Sequence, residues 1–199
     1  MSLIFYLHDR EFLLDRVTPI LRECWKKKSF APGQAFFAEL TDHWPEFRDL
    51  HHFNQGTPLF AAMNHLPCDA FFWSSLVGEI LLYTALEIPY LEVDSELLLA
   101  TNGEPMKEVL FGSRPIQMGR IYRRDQAGWS LPEDLTRFAT FLNEVHPEDW
   151  HLPSEFRSDL SEEDREDDLE MSREWYPNLR EMVLKAAEKQ QILVSEWLD

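Results

Sequence analysis

The side chains best suited to chemistry gather between residues 43 and 69. His51, His52, His65 and Cys68 fall within eighteen residues, with His43 and Asp69 on the flanks. Imidazole and thiolate are the donors of a zinc-type site, and His65 and Cys68 have the two-residue separation of paired ligands. No second Cys-x-x-Cys or His-x(3–5)-His pair completes the set. The expectation is therefore a polar loop whose imidazoles cap helices, with Cys68 a small buried hydrophobe. No cofactor is expected, and zinc held by His51, His52, His65 and Cys68 is the alternative. A Cys68–His65 nucleophile would need a geometry that three-residue loop spacing does not impose.

Two charged groups come next. Glu92, Asp94 and Glu96 alternate with Val93 and Ser95, so a strand there would put three carboxylates on one face, able to bind a divalent cation or simply to face water. Arg114, Arg120, Arg123 and Arg124, with Lys107, form the basic stretch of an acidic chain. They read as a charged edge strand, with anion binding or docking of an acidic tail as the functional alternative. The segment 154–175 carries ten acidic and three basic residues, a net of −7 out of the chain's −17. Glu162, Glu163, Asp164, Glu166, Asp167, Asp168 and Glu170 are its center. A solvated helix face is one reading, and a surface that steers a basic protein partner is the other. Carboxylates crowded between Glu155 and Glu174 are expected to repel one another in the fold, raising their pKa values and favoring the fold as pH falls from 7 toward about 5; pairing with Arg114, Arg120, Arg123 and Arg124 would reverse the sign.

These groups must be positioned by elements that the apolar pattern outlines. Leu3 to Leu7 reads as a strand buried on both faces. Leu13, Val17, Ile20, Leu21 and Cys24 recur at helical spacing, with a kink or break expected at Pro19 and Lys26, Lys27 and Lys28 at the negative pole of the helix. Pro32-Gly33 reads as a turn, residues 51–67 as a loop, and the stretch 70–91 as a buried core helix. Leu91 to Leu98, Val109 to Phe111 and Ile116 to Tyr122 read as strands separated by turns at Asn102-Gly103 and Gly112-Ser113. Ser130-Leu131-Pro132-Glu133 has the form of a capping box opening a helix that buries Leu135, Phe138, Ala139 and Leu142. Ser161 to Asp164 is a second box, opening an acidic helix toward Trp175. Pro177 is expected to restart a helix with Leu179, Met182, Val183 and Ala186 inward, before a strand at Ile192 to Val194.

Two of these pieces resemble the YfbM-like family of small bacterial proteins. One is Trp129 to Leu135 with the helix that follows; the other runs from Leu179-Arg180-Glu181-Met182 through Ile192-Leu193-Val194 to Trp197-Leu198. Leu50-His51-His52-Phe53 before Gly56-Thr57-Pro58-Leu59 is a weaker echo. The resemblance implies an α+β cytosolic bacterial protein and supplies no catalytic residues.

Composition bounds the rest. The chain has 199 residues, 44% of them hydrophobic, with 14 Phe and 7 Trp, enough to build a core without disulfides. A net charge of −17 argues against nucleic acid and anionic lipid as partners. Two Cys fit a reducing cytoplasm, and the residues from Met1 lack the cationic start of a sorting signal. Glu79 and Glu87 interrupt the most apolar stretch before it reaches the length of a membrane span. No phosphate-binding glycine loop or Gly-x-Ser-x-Gly is present. The expectation is one α+β domain over residues 1–199, mostly helical, with a small sheet that includes the N- and C-terminal strands. Its expected role is a non-enzymatic interaction or regulatory module, of immunity type for example, that uses the acidic surface. The alternative is a metal-binding protein or hydrolase built on loop 51–68.

Overall fold

Ser2–His8 (β1) and Ile192–Leu198 (β5) are runs of apolar residues with polar ones set among them, and they pair antiparallel along their full lengths, from Ser2 opposite Leu198 to His8 opposite Ile192. The computed structural model describes residues 2–29, 31–33, 35, 36, 39, 84–91, 93–115 and 127–198. β5 also pairs with β4 (Ala127–Ser130), β4 with the short β3 (Arg114–Pro115), and β1 with β2 (Tyr90–Leu91). The result is a five-stranded antiparallel sheet in the order β2-β1-β5-β4-β3. With the helices packed on it, this is the α+β architecture with a sheet containing the N- and C-terminal strands.

Contacts divide the chain into two compact units. The first contains residues 1–9, 86–116 and 125–199 and holds the whole sheet. Alternation sends Leu3, Phe5, Leu7 and Leu193 to one face, where they join a core built by helices. Those helices are α2 (Ser95–Asn102), α3 (Glu104–Phe111), α4 (Pro132–Glu144) and α5 (Glu162–Glu188). Leu97, Leu98, Met106, Val109, Leu110, Leu135, Phe138 and Leu142 are their buried contribution from α2 to α4, each worth about 1.5–3 kcal/mol against exposure.

Here the strands expected at Leu91–Leu98 and Val109–Phe111 are corrected. Of these stretches Leu91 pairs into the sheet, in β2 with Tyr90, while Ser95–Leu98 and Val109–Phe111 are helical. Asp94 is the reason: its Oδ1 accepts the Leu97 N–H at 3.0 Å and caps α2. Of the three carboxylates expected on one strand face, Asp94 is instead a helix cap and Glu96 lies in the first turn of α2, while Glu92 lies outside the described residues. Both expected turns do occur, as helix ends. Gly112 (φ 79°) lies where a Cβ would stand 2.5 Å from the Trp129 nitrogen, and a Cβ on Gly128 would meet the Phe111 oxygen at 1.7 Å. The C-terminus of α3 can thus lie directly against β4.

The break expected at Pro177 is also corrected: α5 runs unbroken through 27 residues. Leu169, Ser172, Tyr176, Leu179, Val183 and Ala186 are buried at alternating spacings of three and four on both sides of the proline. That stripe packs on α4, and Tyr176 donates to the Leu142 carbonyl at 2.6 Å. Pro177 itself is exposed, so water can take the carbonyl that loses its partner. At α4 the serine of the expected capping box is not the cap. Ser130 ends β4 and accepts the Ser113 N–H, while Asp134 accepts the Leu131 N–H at 2.9 Å. The buried set Leu135, Phe138, Ala139 and Leu142 is as the spacing predicts.

The second unit contains residues 10–85 and 117–124. Its described part is the π-helical turn Phe12–Val17 followed by α1 (Thr18–Lys27), which bury Leu13, Val17 and Cys24. Pro19 sits at the junction, where the Thr18 N–H reaches back to the Leu13 carbonyl. The chain is wound differently before and after the proline, as its missing N–H predicts. Residues 31–33 are helical rather than a turn. Phe36 is buried and stacks 6.3 Å from Phe12. Of the core helix expected over 70–91, residues 70–83 lie outside the described residues. The end of that stretch is not helical: the Leu7 N–H donates to the Glu87 carbonyl and the Phe5 N–H to that of Pro89.

Candidate functional site

The acidic surface is presented by the first half of α5. Ser161 caps it, its Oγ accepting the Asp164 N–H at 3.1 Å and donating to the Asp164 carboxylate at 2.6 Å. Glu162, Glu163 and Asp164 occupy the first turn, where the positive end of the helix dipole favors them. Glu162, Glu166, Glu170 and Glu174 follow at four-residue intervals, with Glu163 and Asp167 in the adjoining row, so all six share one face. At 1.5 Å per residue the row spans roughly 18 Å. All six are exposed, and Met171 at its margin is half exposed.

The segment supplies some of its own counter-charge. Arg157, in a left-handed turn (φ 49°), binds Asp168 of α5 at 2.5 Å and the cap Asp94 at 2.8 Å, with Glu96 at 3.6 Å. Burial alone would lower the Arg157 pKa, but these carboxylates outweigh it and the pKa is raised. Arg173 binds Glu166 at 3.3 Å and donates to the carbonyls of Pro147 and Trp150. Glu155 is held below the usual carboxylate range by backbone and Ser154 hydrogen bonds. This corrects the expectation of raised pKa values across the segment at that residue. Among the described residues, Glu162, Glu163, Asp167 and Glu170 make no ion pair. Of the seven predicted acidic residues, four are thus unneutralized, Asp164 is spent on the cap, and Glu166 and Asp168 are paired with arginine.

Arg114 of β3 lies across the sheet from Trp129 and binds Asp134 and Ser113. Its counter-charge is thus the first turn of α4. Burial pushes the Asp134 carboxyl up, but Arg114 and the Leu131 and Ser113 hydrogen bonds bring it below its ordinary value. Arg120, Arg123 and Arg124 lie outside the described residues, as do His51, His52, His65 and Cys68, the candidate zinc set. Among the described residues no group of three His, Cys, Asp or Glu is placed to hold a metal.

One cluster escaped the sequence reading. On the sheet face opposite the helical core, Tyr6, His8 and Glu196 are all buried, and the Tyr6 hydroxyl donates to Glu196 Oε2 at 2.9 Å. Its signal was legible as ionizable side chains at alternate positions of two otherwise apolar strands. Apolar flanking residues made both runs look like plain core.

Comparison of the chain with protein-family models, with curated proteins and with solved structures finds no match. Among the described residues, no helix is long and apolar enough to cross a membrane.

Proposed function

We propose that this protein is a non-enzymatic interaction or regulatory module whose α5 face binds a basic protein. The observation that carries this is the unneutralized row of Glu162, Glu163, Asp167 and Glu170 on a rigid, capped helix. Fixed like charges on successive turns attract and orient a cationic surface without having to be ordered on binding. The chain's net charge of −17 extends that attraction and disfavors nucleic acid and anionic lipid. The two cysteines and the YfbM-like segments support a cytoplasmic, bacterial setting, and an immunity or regulatory role fits such a surface.

The test is affinity capture with the wild type and with a Glu163→Lys/Asp167→Lys/Glu170→Lys variant, at low and at roughly 0.2 M salt, where screening is strong. A protein held by the wild type and released by charge reversal is expected. Nothing retained at either salt, or retention indifferent to the reversal, would overturn the reading.

A further inference from the structure

We draw no further inference here: the strongest candidate, the buried side-chain cluster of Tyr6, His8 and Glu196 on the sheet face opposite the helical core, carries nothing because nothing among the described residues shows what covers that face.

Discussion

Arg157 does at one residue what a longer chain of contacts would otherwise do. Its guanidinium joins the cap of α2 to the first half of α5, through Asp94 and Asp168, from a turn whose backbone is left-handed. About a quarter of the side chain is exposed, so solvent screens these bonds less than those at the surface. Removing it leaves two partly buried carboxylates facing each other without a cation. Arg157→Ala should lower unfolding stability by about 1–3 kcal/mol, and Arg157→Lys should recover only part, because one ammonium in the place of Nη1, which binds both aspartates, loses the contact of Nη2 with Glu96. Urea unfolding of the three proteins measures this; an alanine variant as stable as the wild type would show that the bridge is not needed.

At the scale of elements, α5 is held together by what it packs against rather than by its own sequence. A proline in a helix interior costs about 3 kcal/mol, more than propensity elsewhere in one helix recovers. The buried stripe from Leu169 to Ala186 supplies the difference by lying on α4. Pro177→Ala should therefore stabilize the fold, by about 1–3 kcal/mol, through the restored hydrogen bond to the Arg173 carbonyl. A denaturation midpoint that stays put or falls would mean that the proline is accommodated without loss. The junction of α3 with β4 works in the opposite way. There Gly112 and Gly128 permit an approach of backbone to backbone that no larger residue fits.

For the whole molecule the question is how a chain with 17 excess negative charges responds to acid. Among the described residues three carboxylates are held below their ordinary values: Asp134 by Arg114 and hydrogen bonds that overcome burial, Glu155 by hydrogen bonds, and Glu181 by Lys185. A carboxylate whose folded pKa is depressed stabilizes the fold above its unfolded pKa and loses that contribution as pH falls through its folded pKa. At Asp134, Glu155 and Glu181 the sign is therefore opposite to the gain toward pH 5 expected for the crowded segment. Stability should hold from pH 7 to about 5 and fall below about 4. The gap between wild type and Asp134→Asn should be widest at pH 7 and narrow over the same range. Chemical unfolding at pH 7, 5 and 4 decides it; wild type most stable at pH 4 would reverse the sign again.

The apolar runs at Leu3–Leu7 and Ile192–Val194, the four-residue rhythm of α4 and the Ser161 cap were legible without coordinates, because each rests on contacts within a few residues. So was the α+β class, and so was the acidic face, since carboxylates four apart share a side of any helix. Residues 95–102 and 104–111 were not legible. Their short apolar runs suit a buried strand or a buried helix alike, and for 95–102 a cap at Asp94 reinforced by Arg157, distant in sequence, decided for helix. The continuity of α5 through Pro177 came from α4, and the neutralization of Asp168 and Glu166 came from arginines whose positions depend on the fold. Local pattern determines which residues must be buried or capped. Which of two locally acceptable conformations wins, and which charges remain unpaired, depends on partners that only the folded chain brings near.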